Sequence, residues 1–324
     1  MSPYWDKARH SDRKPFLDAR VAILRAVRGW FEAEGFTEVE PNLVVPSPGA
    51  ETHIEAIAAD GGYLHTSPEF AMKRLLAAGE TRIFYLGKCW RKGETGPLHA
   101  PEFTMIEWYR ADAPYEKIMD DCIEIVRVAC REIGTETMQW RAEPCSVFEE
   151  PRKLHMSWAF DGLADIEKMY DGDIGAFAKS GVDIRADDTF SDIFARVLTQ
   201  KIEPSLGRDV PTFLYEYPVS EAALSRRCAM DPRLAERFEL YACGVELANG
   251  FGELNDPVEQ RARLMAAMDE KERRYRQRWP IDEDFLAALA HMPPASGVAM
   301  GFDRLVMLAT GARHINDVLW TPYA

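Results

Sequence analysis

The chain has 324 residues, 47% of them hydrophobic, so it can bury one large core or two ordinary ones. Its formal net charge of −14 argues against indiscriminate binding to nucleic acid, which needs a broad basic surface. No stretch approaches the roughly 18 uninterrupted apolar residues of a membrane span, and the first residues carry no apolar signal core. The six cysteines form no CxxC pair, which argues against a disulfide framework and a zinc site. We therefore expect a globular cytoplasmic protein.

The first part of the chain alternates helix and strand patterns. Apolar residues recur at helical spacing over residues 17–31 and predict an opening amphipathic helix that stops at Gly35. The segment TEVEPNLVVPSPGAE contains three prolines and predicts an edge strand followed by a loop. The next predicted elements are a helix over residues 69–78, a buried strand over Arg82–Trp90 with EFTMIEWY as its hairpin partner, and a helix from Tyr115.

The second part begins with a weaker pattern. Over residues 135–214 we expect a variable insertion of mixed helices and loops. The segment ERFELYACGVELANGFGELND predicts two strands around a tight turn at residues 242–244, and a charged helix follows up to Trp279. Acids interleave the basic stretch KERRYRQRW at the end of this helix, which favours a solvated face over an RNA contact. The final SGVAMGFDRLVMLATG reads as a strand running into an apolar helix. We predict a single domain over residues 1–324.

Residues able to carry chemistry concentrate in three segments, and the first is EFTMIEWY. Period-two alternation puts Glu107 and Tyr109 on one face with the ring of Phe103. Arg91, just before the preceding turn, can hold a phosphate or a carboxylate by two-point hydrogen bonding, and Phe103 offers a flat surface for a base. The alternative is a half-buried strand whose Glu107 only meets solvent. Two other basic residues of the turn read as ordinary loop residues: Lys92 and His99.

The second segment is the hairpin FELYACGVELANGFGEL. A two-residue turn would set Glu239 roughly opposite Glu246, and facing carboxylates repel unless a cation lies between them. Ligation by oxygen alone suits magnesium shared with substrate phosphates better than zinc or copper. Strict alternation would send Glu246 to the other face from Asn249 and Glu253, so we predict a bulge over residues 248–250 that brings them into one pocket. Two solvated glutamates on an edge strand are the alternative.

The third segment is GVAMGFDRL. It places Gly297 and Gly301 in a strand where side chains would block a close ligand, with Arg304 at the start of the following helix. This arrangement is compatible with a bound phosphate. Packing glycines and a surface arginine explain it as well, so the segment alone leaves both interpretations open.

In this order the segments resemble the signature motifs of class II aminoacyl-tRNA synthetases. The stretches TSPEFAMKRLL, HAPEFTMIEWY, GVELANGFGELND and GVAMGFDRLVML are similar to the catalytic domain of lysyl-tRNA synthetases. They are most similar to the short paralogues of those enzymes, the ligases that attach (R)-β-lysine to a lysine of elongation factor P. The resemblance extends from the opening helix to Leu308 and is weakest over residues 135–214. It implies an α+β fold in which helices flank a six- or seven-stranded antiparallel sheet.

The resemblance also implies roles for individual residues. Arg91 would bridge the α-phosphate of ATP and the substrate carboxylate, while Phe103 would stack on the adenine. Arg304 would lie on the other side of the ring or at the γ-phosphate. Glu239 and Glu246 would hold Mg²⁺. The remaining nucleotide contacts implied are Lys92, Gly93, Glu94, Ala100, Leu247 and Gly301.

The substrate contacts fall into two groups by the same resemblance. Ser67 and Glu69 would meet the backbone-side amine of lysine or (R)-β-lysine. The side-chain ammonium would be held by Glu107, Tyr109, Asn249 and Glu253. Further implied contacts are Pro68, Phe251 and Ala299.

Three positions depart from the lysyl-tRNA synthetase pattern. Those enzymes usually read R-N-E, whereas this chain has Lys92 and Gly93 before Glu94, so the acid that contacts adenine is displaced by one residue. Ala100 replaces an asparagine, for which we expect a modest loss of ATP affinity. Ala299 replaces a glycine, and its methyl group would favour the β-isomer of lysine by only ~1–3 kcal/mol.

The reaction implied has two steps. The amino acid attacks the α-phosphorus of magnesium-bound ATP to give an aminoacyl-adenylate, and a lysine ε-amine of elongation factor P then expels AMP. The opening helix begins almost at Met1, so we expect no anticodon-binding domain and do not expect tRNA as the acceptor. Residues 38–48 are expected to form a homodimer interface. The alternatives are a lysine-activating enzyme with another acceptor and a non-catalytic binding module.

Overall fold

The fold is organised around an eight-stranded sheet. A computed structural model describes residues 3–49, 51–141 and 143–322 of the chain. The strands are β1 Thr37–Glu38, β2 Val44–Val45, β3 Ala58–Ala59, β4 Gly62–Leu64, β5 Arg82–Trp90, β6 Glu102–Ala111, β7 Thr137–Trp140, β8 Glu143–Ser146, β9 Arg152–His155, β10 Thr212–Pro218, β11 Leu234–Ala242, β12 Val245–Gly252 and β13 Ala295–Gly301. The helices are α1 Lys7–Ala33, α2 Glu69–Ala77, α3 Tyr115–Glu132, α4 Met156–Ala159, α5 Ile166–Tyr170, α6 Phe190–Val197, α7 Pro257–Tyr275, α8 Glu283–Leu289, α9 Phe302–Thr310 and α10 Ile315–Val318. Short turns of 3-10 or π helix lie at Ile174–Phe177, Leu198–Ile202, Glu203–Ser205 and Val219–Glu221.

The main sheet has the strand order β1-β5-β6-β13-β12-β11-β10-β9. Every pair from β5 across to β10 is antiparallel, which confirms the predicted hairpins and the α+β class. The prediction of six or seven strands is too low, because β1 and β9 add parallel edges. The edge strand predicted in TEVEPNLVVPSPGAE is confirmed as β1, whereas β9 has only four residues, too few for an alternating pattern to be read from sequence.

Both faces of the sheet are covered by helices, as the near-continuous apolar strands require. Helices α1, α3 and α9 pack on one face, where Trp108 is fully buried. Helices α2 and α8 pack on the other, against Met105 and Tyr109. Alternation along β6 therefore separates the residues that belong to the main core from those that face α2. A cavity lies on the α2 side.

The region over residues 135–214 has its own small core, in which Phe160, Phe177 and Phe194 pack together against β10 and β11. It contains α4 to α6, as expected of a helical insertion. The expectation of helices and loops alone is wrong, because β7, β8 and β9 also lie here and β9 joins the main sheet. No helix in the described part of the chain is both long and apolar enough to span a bilayer.

Other sequence predictions match closely. Helix α2 begins at the predicted residue and β5 has the predicted bounds. Gly35 follows α1 with a φ of 74°, and the turn between β11 and β12 is Cys243 and Gly244, both with positive φ. The charged helix α7 ends at Tyr275, short of the predicted Trp279. It stops there because the next residue, Arg276, adopts a left-handed conformation.

Candidate active site

A cavity of about 370 Å³ opens at the centre of the sheet on the α2 side. Strands β6, β12 and β13 form its floor, and the loop between β5 and β6 forms part of its rim. Most residues predicted for substrate or nucleotide line it: Ser67, Glu69, Arg91, Glu94, Ala100, Phe103, Glu107, Tyr109, Glu246, Leu247, Asn249, Phe251, Glu253, Ala299, Gly301 and Arg304.

Four predicted site residues do not line the cavity. Pro68 precedes α2 and borders a smaller hollow behind it. Lys92 and Gly93 lie on the outer turn of the β5–β6 loop, where the Lys92 ammonium is 3.3 Å from the Glu55 carboxylate and points to solvent. Glu239 is buried on β11 beside its cross-strand partner Asn249. Of the residues that follow Arg91 in the loop, Lys92 and Gly93 miss the cavity and Glu94 lines it.

One end of the cavity is a buried acidic pocket centred on Glu107. This side chain is 1% exposed, which rules out a solvent-facing role. Its two oxygens accept hydrogen bonds from Ser67 Oγ at 2.6 Å and Tyr109 OH at 2.7 Å. Burial, with Glu69 nearby, raises the pKa of Glu107 to about 8. The pocket therefore holds a carboxylate whose ionised form would gain from a cationic ligand.

A buried lysine that the sequence analysis missed joins two further acids at this end. Lys73 Nζ lies 2.6 Å from Glu69 Oε1 and 2.7 Å from Glu253 Oε2, and its side chain is fully buried. Burial lowers the pKa of Lys73, but the two carboxylates outweigh burial, so it stays charged. Among the described residues, Glu253 Oε1 has no hydrogen-bond donor. The four-residue spacing of Glu69 and Lys73 on one helix was the available signal.

A bulge in β12 brings its acids and amide into the cavity. Glu239 pairs with Asn249, Leu240 with Ala248, and Tyr241 with Glu246, so Leu247 is the extra residue. The predicted pairing of Glu239 with Glu246 is therefore wrong, and the bulge lies just before residues 248–250. Its predicted effect is confirmed, since Glu246, Asn249 and Glu253 line one cavity.

The two predicted magnesium ligands differ in their surroundings. Glu239 accepts hydrogen bonds from Arg237 Nη2, Tyr217 OH and Tyr241 OH at 2.5–2.6 Å, so three of its roughly four lone-pair sites are used. Glu246 lines the cavity with its side chain 40% exposed. The described residues contain no group of three His, Cys, Asp or Glu placed to hold a metal. The Glu246 carboxylate, which also lies 3.6 Å from Arg304 Nη1, fits a Mg²⁺ ion held mainly by phosphates.

The other end of the cavity carries two arginines, as predicted. Arg91 Cζ lies 5.3 Å from the Phe103 ring centroid, and its buried Nε has no partner in the described structure. Arg304 Nη1 donates to the Glu246 carbonyl at 2.8 Å, and Nη2 donates to His99 Nε2 at 2.6 Å. Burial and Arg304 lower the pKa of His99, which keeps the ring neutral as an acceptor. The interpretation of His99 as an ordinary loop residue is wrong.

A second buried lysine fixes the cavity rim. Lys271 Nζ donates to the carbonyls of Thr52 at 2.9 Å and Ile54 at 2.7 Å, and lies 3.9 Å from the Trp279 ring centroid. The neighbouring arginines of α7 pair with acids, which fits the predicted solvated face, but Lys271 is fully buried. It thereby holds the loop that places Glu51 and Ile54 on the rim.

Small residues on β13 leave room for the side chains of the acidic pocket. Gly297 lies opposite Tyr109, and a Cβ there would come within 2.3 Å of the tyrosine ring and 2.8 Å of Glu253 Oε1. Ala299 pairs with Glu107 on one side and Asn249 on the other, so its methyl group lies between two predicted substrate contacts. The glycine at position 297 is therefore required by packing.

This sheet and cavity define a class II synthetase-type catalytic domain, and residues 2–323 match the family model of the class II tRNA synthetases (D, K and N). The chain is 36% identical over 324 residues to the elongation factor P–(R)-β-lysine ligase of Vibrio cholerae serotype O1, covering 95% of each chain. It is 38% identical over 316 residues to the ligase of the same name from Sodalis glossinidius, covering 93% of this chain and 92% of the relative. The lysine–tRNA ligase of Pelotomaculum thermopropionicum is 33% identical over 337 residues, but this chain spans only 65% of its length. The chain belongs to the family of elongation factor P–(R)-β-lysine ligases.

Proposed function

We propose that this chain is an ATP-dependent, AMP-forming ligase that activates (R)-β-lysine and transfers it to the ε-amine of a lysine on elongation factor P. One observation carries the proposal: a single cavity has buried carboxylates at one end and arginines beside an aromatic ring at the other. This polarity matches an amino acid with two ammonium groups whose carboxylate meets ATP. Relatives named for this reaction match over nearly their whole length.

Activation is largely a matter of position and charge. The substrate carboxylate attacks the α-phosphorus, and Arg91 neutralises the developing charge as pyrophosphate leaves. Arg91 Nη1 lies 3.9 Å from Glu94 Oε1, but the buried Nε has no partner in the described structure and can hydrogen-bond a phosphate or a carboxylate. Phe103 supports the adenine, and Arg304 holds the outer phosphates. Glu246 would hold Mg²⁺, which would supply further neutralisation of phosphate charge, and the nearby buried Glu239 would add to the negative charge that attracts the ion.

The acidic end selects the substrate. Glu253 Oε1 is the open acceptor for one ammonium group, and Glu107 and Glu69 complete the pocket. Asn249 Oδ1 accepts a hydrogen bond from Arg237 Nε at 3.3 Å, which orients its amide for the substrate. The methyl group of Ala299 fills space between Glu107 and Asn249, and this position is where we expect β-lysine to be distinguished from α-lysine.

Transfer needs no enzyme nucleophile, because the adenylate is already activated. The acceptor ε-amine attacks the carbonyl carbon, and AMP leaves with the bonding electron pair. We place this reaction in the cytoplasm, where translation factors act, with a protein lysine and not tRNA as the acceptor.

The test is pyrophosphate exchange into ATP with α-lysine and with (R)-β-lysine, followed by transfer to purified elongation factor P. We expect exchange that favours the β-isomer, loss of exchange in Arg91→Ala, and no transfer to an acceptor whose target lysine is replaced by arginine. Exchange with neither isomer would refute an activating enzyme. Exchange with α-lysine followed by charging of tRNA would instead support the second candidate, a lysine–tRNA ligase activity, which the 33% identity to such enzymes favours.

We also propose a homodimer formed through residues 38–48. Leu43 and Val44 are neighbouring apolar residues there, and they are 45% and 46% exposed. Adjacent exposed apolar side chains are typical of a protein–protein contact. Light scattering should give twice the chain mass, and Leu43→Asp should give a monomer. A monomeric wild-type protein at micromolar concentration would contradict the proposal.

A further inference from the structure

The fully buried Lys73 lies between two carboxylates that face the cavity, yet it does not line the cavity itself. Its ammonium is therefore a permanent cation at the end that receives cations. Burying a lysine is costly unless it is paired, and this one is paired twice. A fold that only needed to fill space on the inner face of α2 would be served by an apolar side chain of similar length.

Counting charge shows what the lysine changes. Three carboxylates lie at this end with at most 8% exposure: Glu69, Glu107 and Glu253. When a cationic ligand stabilises the ionised form of all three, Lys73 offsets one of their three negative charges, which leaves two for the ligand. Other charged groups act on this set from neighbouring elements, namely Arg226 on Glu253 and Glu51 on Glu69.

We propose that Lys73 is a specificity-determining positioning residue. Its ammonium holds Glu69 and Glu253 apart, cancels one carboxylate charge, and thereby sets the pocket for an amino acid that carries two ammonium groups. This inference rests on the proposed function, because lysine and β-lysine are the substrates that carry two such groups. Lys73 touches neither the substrate nor the reacting atoms and acts through the two acids.

Removing the ammonium has a directional consequence. Two buried carboxylates without a cation between them cannot both stay ionised, so one takes a proton at neutral pH. The substrate must then displace that proton to bind. In Lys73→Met we expect KM for the lysine substrate to rise about tenfold or more at pH 7. The ratio of this KM to the wild-type KM should shrink toward pH 9, because the carboxyl group then loses its proton. KM for ATP should stay near the wild-type value.

The pH dependence separates this role from a structural one. If Lys73 only supported the fold, its replacement by methionine would lower the Tm. It would not change how the ratio of KM for lysine to KM for ATP varies with pH. Lys14→Met is the matched control, because Lys14 is 49% exposed on α1 and pairs only with Asp18 in the described structure. It should leave both KM values unchanged at either pH.

A second measurement covers the case in which Lys73→Met folds poorly. Lys73→Ala leaves a void that n-propylammonium can fill, and 1-propanol is its neutral counterpart of similar size. The readout is the rise in Tm on adding lysine or β-lysine, which requires neither ATP nor elongation factor P. We expect propylammonium, and not propanol, to restore that rise.

The outcomes separate the two proposals. If the wild-type protein shows no pyrophosphate exchange, the proposed function is refuted. The role of Lys73 is still supported in that case if the ligand-induced rise in Tm is lost in Lys73→Ala and restored by propylammonium. Wild type that exchanges normally, with Lys73→Met equal to it in lysine KM at pH 7 and pH 9, overturns the role of Lys73. Equal rescue by propylammonium and propanol overturns it as well, because the side chain would then only fill space.

Discussion

Replacing Gly297 by alanine tests whether close packing of β13 holds the acidic pocket in shape. An added Cβ would lie 2.3 Å from the Tyr109 ring, whereas carbon atoms in contact lie at about 3.5 Å, so the ring must move by roughly 1.2 Å. Tyr109 OH donates to Glu107 at 2.7 Å, and a shift of that size breaks the hydrogen bond. A hydrogen bond to a carboxylate that a bound cation keeps ionised contributes about 1.5–3 kcal/mol, which corresponds to roughly a 10- to 150-fold change in binding.

The assay is pyrophosphate exchange as a function of lysine and of ATP concentration. Gly297→Ala should raise KM for the lysine substrate by that factor and leave KM for ATP nearly unchanged, because the two ends of the cavity are separate. Gly29→Ala is the control, since Gly29 lies on an exposed part of α1 with nothing within 4 Å of a built Cβ. A Gly297→Ala enzyme with wild-type lysine KM and Tm would refute the packing argument.

Three further predictions concern single side chains. Because burial raises the pKa of Glu107 to about 8, this glutamate stabilises the fold below its unfolded pKa of about 4.3 and the contribution is lost as the pH rises to 8. Between pH 5 and pH 8 the free energy of unfolding of wild type should therefore fall by a few kcal/mol more than that of Glu107→Gln, as urea unfolding would measure. His99→Ala removes the acceptor of Arg304 Nη2 and should raise KM for ATP about three- to tenfold without changing that for lysine, as exchange kinetics would reveal. Glu246→Gln should raise the magnesium concentration needed for half-maximal exchange several-fold, and an unchanged requirement would remove Glu246 from the magnesium site.

The sequence predicted those parts of the site that depend on local periodicity. Alternation in β6 placed Glu107 and Tyr109 on one face. The bulge in β12 was predicted because strict alternation could not bring Glu246, Asn249 and Glu253 into one pocket, which they do share. The position of the bulge was wrong by one residue. An extra residue at either position moves the following side chains to the same face of the strand, so the pattern could not distinguish the two. The pairing of Glu239 with Glu246 was wrong for a different reason, because the turn consists of Cys243 and Gly244, which sets Tyr241 opposite Glu246.

What the sequence could not give are contacts between distant segments. Lys271 looked like one of several charges on a helix, and only tertiary packing shows that it reaches Thr52. His99 gained its role from Arg304, which lies far along the chain. Lys73 had a local signal in its spacing from Glu69, yet its second partner, Glu253, comes from another strand end. Edge strand β9 was too short to leave a pattern.

The place of β13 between β6 and β12 has a consequence for how the enzyme is made. The strand joins partners that lie far apart in sequence, and such non-local pairings form slowly because the intervening chain must first be ordered. The acidic pocket has no wall on that side until β13 has inserted, whereas the β11–β12 hairpin needs only a short loop to close. A refolding chain should therefore acquire secondary structure before it can bind lysine, and the appearance of lysine binding should coincide with completion of the sheet.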